Sequence, residues 1–182
     1  MRFHPTQISG SILFALAALL AAKGIHAQGF DVTPWPDTKA VPALSATDLQ
    51  GKAWRLADLR GKAVLINFWA SWCAPCQAEM PSLQALQRAQ APDSLVVLAV
   101  NFKEAGPVAQ RFVQRTGLDL PVLLDPQGAI ARQWQVKVFP TTVLVAADGR
   151  VRALVRGELD WTGAAAAALV TPLLPSAAKT VP

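Results

Sequence analysis

The chain has 182 residues, of which 52% are hydrophobic and 16% charged, and its 17 Lys and Arg against 12 Asp and Glu give a formal net charge of +5. This apolar content excludes an intrinsically disordered chain, because burying it can offset the conformational entropy lost on folding. Only two cysteines are present, which excludes a small disulfide-stapled fold and a four-cysteine zinc site within one chain. Because Cys73 and Cys76 are so close in sequence, a bond between them constrains little, and their predicted role is chemical.

Residues 1–27 have the pattern of a secretory signal peptide. Arg2 gives a basic start, an apolar run follows at residues 8–22, and small or aliphatic residues lead to a cleavage position after Ala27. The run is shorter than the roughly 20 residues that span a bilayer, which favours cleavage. An uncleaved membrane anchor is the alternative, and either outcome predicts that the rest of the chain is exported.

Removal of this segment changes which chemistry the chain can perform. Arg2 and Lys23 are lost but no acid is, so the net charge falls from +5 to +3. Both histidines, His4 and His26, are lost as well, and the chain has no tyrosine. Ser-His-Asp and Cys-His catalysis and histidine-ligated metals are thereby excluded from the mature domain. A charge of +3 without a basic run also predicts no nucleic-acid partner.

Residues 28–43 contain three prolines within the predicted mature chain, which predicts an extended leader before the domain. The folded domain is predicted over residues 44–174. It begins with a β-hairpin, in which short strands at 44–47 and 53–56 flank a turn that contains Gly51.

Strands and helices alternate through the rest of the domain. Runs rich in apolar residues predict strands at 63–70, 95–100, 121–124, 143–146 and 151–155. Helical spacing and helix-boundary residues predict helices at 76–90, 107–116, 129–135 and 161–174. A tight hairpin is expected at Asp148-Gly149, and a flexible tail at residues 175–182. This order predicts an α/β sandwich with helices on both faces of the sheet.

The segment Trp72-Cys73-Ala74-Pro75-Cys76 lies between a predicted buried strand and a predicted helix. Helix N-termini carry unpaired N–H groups and a partial positive charge, which favour the thiolate form of a cysteine placed there. Cys73 is therefore the predicted nucleophile, and Cys76, one turn later, the predicted resolving thiol. Pro75 suits the first helical turn, where a missing N–H costs little. Thiol–disulfide exchange is the expected chemistry, and a Cu(I) site made by the two thiolates is the alternative.

The sequence around the cysteine pair resembles the TlpA/ResA family of exported thiol–disulfide oxidoreductases. The resemblance is carried by residues 59–62 (Leu-Arg-Gly-Lys) and 64–81, which include the pair. Farther along, Phe139-Pro140-Thr141-Thr142 is similar to the cis-proline loop of the thioredoxin-like fold, and Asp148-Gly149 to its final hairpin. The match covers roughly residues 44–172. It implies a thioredoxin-like three-layer sandwich, with a mixed central sheet, helices on both faces and an N-terminal β-hairpin.

The resemblance also implies roles for individual residues. Cys73 and Cys76 are expected to form the redox-active disulfide, and Pro140 to be cis and face the Cys73 sulfur; a trans proline that starts a strand is the alternative. Glu79, three residues after Cys76, is expected to exchange a proton with the Cys76 thiol. The alternative for Glu79 is an ordinary solvated side chain near the helix start. Substrate contacts are expected from the residues beside the two loops, Trp72, Ala74, Pro75, Phe139 and Thr141.

One position differs from cytosolic thioredoxins, and another departs from the resembled family. Asn67 occupies the place where cytosolic thioredoxins carry a buried acid. Val138 lies two places before the proline, where the family usually has glycine. Together with Lys137 and Phe139, it predicts a bulkier and more apolar rim towards the substrate.

The expected function is that of an exported disulfide reductase. No histidine lies between the cysteines to stabilise the reduced form strongly, which favours reduction over oxidation of clients. The family's usual clients are apocytochrome c and copper-receiving proteins, and a membrane thiol donor recharges its members because exported compartments are oxidising. The resemblance therefore implies a periplasmic enzyme that needs no cofactor and no metal. If the signal is not cleaved, the N-terminal segment is expected to tether the enzyme to the inner membrane. A disulfide-introducing oxidase and a Cu(I) carrier are the alternatives.

Overall fold

A mixed β-sheet forms the centre of the protein. A computed structural model describes residues 29–90 and 93–176. Within them lie the strands β1 (Phe30–Pro34), β2 (Ser45–Thr47), β3 (Ala53–Arg55), β4 (Ala63–Trp69), β5 (Leu95–Phe102), β6 (Val122–Asp125), β7 (Thr141–Val145) and β8 (Val151–Gly157). The sheet has the order β1-β8-β7-β4-β5-β6, with β4, β5 and β6 parallel and the remaining pairs antiparallel. The predicted mixed sheet is therefore confirmed.

Helices pack on both faces of this sheet. They are α1 (Ala74–Ala89), α2 (Gly106–Thr116), α3 (Ala129–Gln133) and α4 (Ala164–Val170). Side chains alternate between the two faces of a strand, and all of β4 is buried. Leu65 and Trp69 accordingly join an apolar cluster with residues of α1, α2 and α4, whereas Ile66 and Phe68 join a second cluster with Ala131 of α3. The three-layer arrangement expected from the sequence is thus present.

The predicted N-terminal hairpin is formed by β2 and β3, which pair antiparallel. Its turn includes Gly51, at φ 85°. Asp48 is buried and accepts hydrogen bonds from the backbone N–H groups of Gln50 and Lys52 and from Trp54 Nε1. These bonds replace the hydrogen bonds to water that the carboxylate loses on burial. Without such replacement, a buried polar group would destabilise the fold.

The segment predicted as a leader is partly built into the domain, which corrects the expected start at residue 44. Phe30–Pro34 forms β1 and pairs antiparallel with β8 along the sheet edge. Trp35 follows, is buried, and lies 6.1 Å from Trp134 between ring centroids. The prolines predicted a linker. Pro34 is nevertheless compatible with β1, because a residue on an edge strand need not donate an N–H group to a second neighbouring strand.

The last helix is shorter than the predicted 161–174. Asp160 accepts hydrogen bonds from the backbone N–H and the hydroxyl of Thr162, and this turn delays the helix start to Ala164. At the other end, Thr171–Leu173 forms a 3-10 turn with Pro172 in its first positions. A proline cannot donate to the preceding turn, so the α-helical pattern ends there.

The predicted signal or anchor at residues 1–27 lies outside the described residues, as does most of the predicted tail at 175–182. Over residues 29–90 and 93–176, the structure contains no helix with the length and hydrophobicity needed to cross a membrane.

Replacement of Gly157, at the end of β8, tests how closely β1 packs against that strand. Gly157 and Gly61 both have positive φ angles, of 95° and 88°. A Cβ on Gly157 would overlap the carbonyl oxygen of Gly29, whereas a Cβ on Gly61 would meet nothing within 4 Å. Gly61→Ala is expected to lower the free energy of unfolding by about 1–2 kcal/mol, the cost of the left-handed conformation. Gly157→Ala is expected to cost about 3 kcal/mol or more. Urea unfolding measures both, and equal losses would contradict the close approach.

Candidate active site

The two cysteines lie where β4 passes into α1. Cys73 is the N-cap residue of α1, and Pro75 lies in the first helical turn. The sulfur atoms form a disulfide of 2.03 Å, with the Cα atoms 5.3 Å apart. Cys73 Sγ also accepts a hydrogen bond from the backbone N–H of Cys76, at 3.3 Å. In the reduced protein, this N–H group and the helix N-terminus can stabilise a thiolate on Cys73.

The two cysteines differ in accessibility. Cys73 is 6% exposed and Cys76 is completely buried. Part of Cys73 is therefore open to an attacking reagent, whereas no part of Cys76 is. The order predicted from the sequence, with an outer nucleophile and an inner resolving thiol, agrees with this geometry.

The proline loop lies beside the cysteine loop. The Phe139–Pro140 peptide bond is cis, as the resemblance implied. The carbonyl oxygen of Pro140 accepts a hydrogen bond of 2.9 Å from the N–H of Gly157. Phe139 and Trp72 make an edge-to-face contact, with 6.2 Å between ring centroids. This contact brings together two loops that are far apart in the sequence.

Most of the predicted substrate-contacting residues lie at the surface. Trp72 is 64% exposed, Ala74 and Pro75 are exposed, and Phe139 is half-buried. Val138, next to Phe139 in the chain, is 50% exposed. Its part in a rim towards the substrate stays a prediction.

Thr141 differs from the other predicted substrate contacts. Its side chain is buried, and its hydroxyl donates a hydrogen bond of 2.8 Å to the carbonyl oxygen of Val138. The bond ties the loop to the start of β7, so the side chain supports the loop from within.

Glu79 is a buried acid on the same helix as the cysteine pair. It is 2% exposed, so the solvated alternative is wrong. Oε1 accepts a hydrogen bond from Asn67 Nδ2 at 2.6 Å, and Oε2 accepts bonds from the N–H of Leu159 and from Trp161 Nε1, both at 3.3 Å. Burial raises the pKa of Glu79 from 4.5 to about 7, although these hydrogen bonds oppose the shift. The carboxyl group can therefore take up or release a proton near neutral pH.

Trp161 can report the titration of Glu79. The indole is 1% exposed, and its N–H donates to the Glu79 carboxylate. We expect a change in tryptophan fluorescence with a midpoint near the pKa of about 7. Glu79→Gln is the matched control, because glutamine keeps the shape of the side chain but cannot titrate. A transition that persists in this variant would contradict the assignment.

Sequence analysis missed Glu104, which contacts the cysteine loop. Its carboxylate accepts hydrogen bonds from both the N–H and the hydroxyl of Ser71. A usable signal was present, because β4 and β5 are parallel neighbours and their carboxyl ends meet at one edge of the sheet. An acid two residues after β5 could have been expected beside the loop that follows β4.

Comparison with known proteins agrees with this arrangement. Residues 38–154 match the AhpC/TSA family. The thiol–disulfide oxidoreductase ResA of Geobacillus thermodenitrificans is 35% identical over 147 residues, which cover 79% of this chain and 84% of the relative.

Two solved structures have a similar fold. A secreted thiol-disulfide isomerase from Corynebacterium glutamicum matches with a TM-score of 0.68 and 25% identity, over 82% of this chain and 93% of that one. A thiol:disulfide interchange protein of the thioredoxin family from Chlorobium tepidum matches with a TM-score of 0.65 and 25% identity, over 79% and 98% of the two chains. The fold is thus thioredoxin-like. A cysteine pair at the start of a helix on this fold is the arrangement that the relatives' shared activity requires, and the chain belongs to the AhpC/TSA family as a ResA-like thiol–disulfide oxidoreductase.

Proposed function

We propose that the chain is exported and reduces disulfides in client proteins through a cycle of Cys73 and Cys76. The observation that carries this proposal is the unequal exposure of the two cysteine residues at the start of α1, 6% for Cys73 against 0% for Cys76. A client disulfide can approach the outer sulfur, while the inner one is protected from competing reagents. This asymmetry suits a mixed-disulfide mechanism.

The cycle has two exchange steps. The Cys73 thiolate attacks one sulfur of the client disulfide, which forms a mixed disulfide and releases the first client thiolate. The Cys76 thiolate then attacks the Cys73 sulfur, which releases the second client thiolate and leaves the Cys73–Cys76 disulfide. Two electrons pass to the client. A membrane thiol donor is the proposed source of the two electrons that restore the reduced pair.

Glu79 is the proposed proton partner of Cys76. Both side chains are buried, and Glu79 follows Cys76 by three residues on α1, which places them on one helix face. A buried thiol has little access to water for releasing its proton. A carboxylate with a pKa of about 7 can accept this proton when Cys76 becomes the nucleophile.

Client contact is assigned to the apolar surface around Cys73. Trp72, Ala74 and Pro75 adjoin Cys73 in the chain, and Phe139 reaches the same surface through its contact with Trp72. Thr141, which is buried, stabilises the proline loop through the hydrogen bond that its hydroxyl donates to the carbonyl oxygen of Val138. An apolar surface suits a client segment that exposes its disulfide together with apolar side chains.

The cellular setting follows from the same resemblance. We propose a periplasmic location, with residues 1–27 serving as a signal peptide or as an anchor to the inner membrane. The proposed clients are apocytochrome c or copper-receiving proteins. Support comes from the exported character of the resembled family and from the secreted relative.

The reduction potential of the cysteine pair tests the direction of the cycle. A value near about −270 mV is expected for a reductant, and a value near about −120 mV would instead indicate a disulfide-introducing oxidase. Equilibration against glutathione or dithiothreitol, followed by thiol counting on the folded protein, measures the potential. A strongly oxidising value would overturn the proposed direction and leave the exchange chemistry intact.

A further inference from the structure

Glu104 holds the residue that precedes the active-site Trp-Cys pair. Glu104 Oε2 accepts hydrogen bonds from Ser71 N–H and from Asn101 Nδ2, both at 2.7 Å, and Oε1 accepts one from the Ser71 hydroxyl at 2.5 Å. The two carboxylate oxygens together thus accept three hydrogen bonds. Hydrogen bonds to an ionised acceptor are roughly twice as strong as neutral ones. Glu104 is therefore well suited to fixing the position of Ser71.

The remaining polar group of Ser71 is also bound. Its carbonyl oxygen accepts a hydrogen bond of 2.6 Å from Gln77 Nε2 on α1. Cys73 N–H in turn donates to the carbonyl oxygen of Ala70 at 3.2 Å. Trp72, between these residues, is 64% exposed. Because most of the Trp72 surface lies in water, the hydrogen bonds made at Ser71 add to the Trp72–Phe139 contact in ordering this loop.

The backbone that carries Glu104 has an uncommon conformation. Lys103 has a φ of 53°, in the left-handed region that a residue with a side chain seldom adopts. Its N–H donates to the carbonyl oxygen of Asp125 at 3.0 Å. Gly128 packs against this turn, where a Cβ would lie 2.8 Å from the Phe102 ring and 2.9 Å from Lys103 Cε. Such a conformation persists only where the surrounding structure imposes it, and such conformations are enriched at functional sites.

We propose that Glu104 is a positioning residue for Cys73. By holding Ser71 through two hydrogen bonds, while Asn101 holds its own carboxylate through a third, it keeps the loop from Ser71 to Cys73 in the conformation that places the Cys73 sulfur at the N-terminus of α1, within reach of the Cys76 N–H. The inference rests on Cys73 being the nucleophile of the proposed cycle. It does not depend on which client is reduced or on the direction of electron flow.

Alkylation of Cys73 in the reduced full-length protein tests this role directly. Iodoacetamide reacts with the thiolate, forms a carbon–sulfur bond and releases iodide, and peptide mass spectrometry locates the product. Glu104→Ala is expected to slow the reaction at Cys73 by about tenfold, because a Cys73 sulfur displaced from the helix N-terminus is present as thiolate to a smaller extent. Glu104→Gln is expected to stay within about twofold of the wild type, since its amide can accept from the Ser71 N–H and donate to the Ser71 hydroxyl oxygen.

Two further variants complete the comparison. Asp119→Ala removes an exposed acid that pairs with Arg88 at 3.3 Å, and it is expected to leave the rate unchanged. Ser71→Ala removes one of the three bonds without altering the acid, and it is expected to slow alkylation about threefold. In the double variant, Ser71→Ala is expected to slow alkylation further by less than it does in the wild type. The two effects are not additive, because Ser71 and Glu104 take part in the same interaction. Ser71→Ala also keeps the test decisive if Glu104→Ala does not fold.

Two results would overturn the proposal. Equal changes of rate in Glu104→Ala and Glu104→Gln would show that the charge of Glu104 acts on Cys73 and that its hydrogen bonds do not. An unchanged rate in both Ser71→Ala and folded Glu104→Ala, with folding checked by circular dichroism, would show that the loop holds its position without this contact. A strongly oxidising potential of the wild-type protein would affect the proposed function but not this rate comparison.

Discussion

Replacing Cys73 with serine is expected to lower the rate of disulfide reduction by about 10³-fold or more, which is the scale of losing a catalytic nucleophile. The thiolate is the nucleophile in exchange, and a serine hydroxyl at the same place is not ionised near neutral pH. Cys73 is the more accessible of the two residues, at 6% exposure against none for Cys76. The rate can be measured as thiol release from a model disulfide-bonded protein, with dithiothreitol supplying the electrons.

Cys76→Ala is the matched variant, and a different outcome is expected. Cys73 can still attack, but the resolving thiol is absent, so the mixed disulfide with the client accumulates. Non-reducing electrophoresis and mass spectrometry detect this covalent complex, and the same approach identifies clients from an extract of the exported compartment. If Cys73→Ser accumulated the complex and Cys76→Ala did not, the assigned roles of the two cysteines would be reversed.

Glu79→Gln is expected to abolish a pH-dependent loss of stability worth about 3 kcal/mol. Burial raises the pKa of Glu79 from 4.5 to about 7, so between these pH values the folded protein keeps a proton that the unfolded chain has released. Stability falls with rising pH wherever the folded state binds more protons. The contribution of Glu79 is thus fully present below about pH 4.5 and is lost as the pH passes about 7. Urea unfolding of the wild type and the variant from pH 4.5 to 8.5 measures the difference.

Glu158→Gln serves as the control for this measurement. Glu158 is exposed, and its charge is the smallest of the contributions to the pKa of Glu79. Its replacement is expected to preserve the pH-dependent fall of stability and to lower its midpoint slightly. In exchange kinetics, Glu79→Gln is expected to weaken the pH dependence of the step in which Cys76 resolves the mixed disulfide. An unchanged dependence would contradict the role of Glu79 as proton partner.

The elements predicted best are those whose pattern is local. The strand predicted at 63–70 corresponds to β4 at Ala63–Trp69. A continuous apolar run indicates a strand that is buried on both faces, as in the centre of a sheet. β1 was predicted as a leader, because its strand character comes from pairing with β8, more than 100 residues later. No local period marks Phe30–Pro34 as a strand, and its residues are mostly exposed.

The candidate site divides in the same way. The sequence identified Cys73 and Cys76 from their spacing and from the helix that follows them, and it placed Glu79 on that helix. The burial of Glu79 depends on partners contributed by Asn67 and by the segment at 159–161, which only the folded chain assembles. The resemblance to a known family supplied the expectation of a functional acid, but not its hydrogen bonds.

The sequence by itself therefore determined which chemistry to expect of this protein, since two thiols at a helix start predict thiol–disulfide exchange in which Cys73 attacks first. Tertiary structure decided how that chemistry is controlled. It made Cys76 inaccessible, moved the pKa of Glu79 to about 7 and brought Glu104 to Ser71. The physical reason is that residue identity and helical spacing are local properties. Desolvation and hydrogen bonding depend on neighbours that are distant in sequence and become adjacent only on folding.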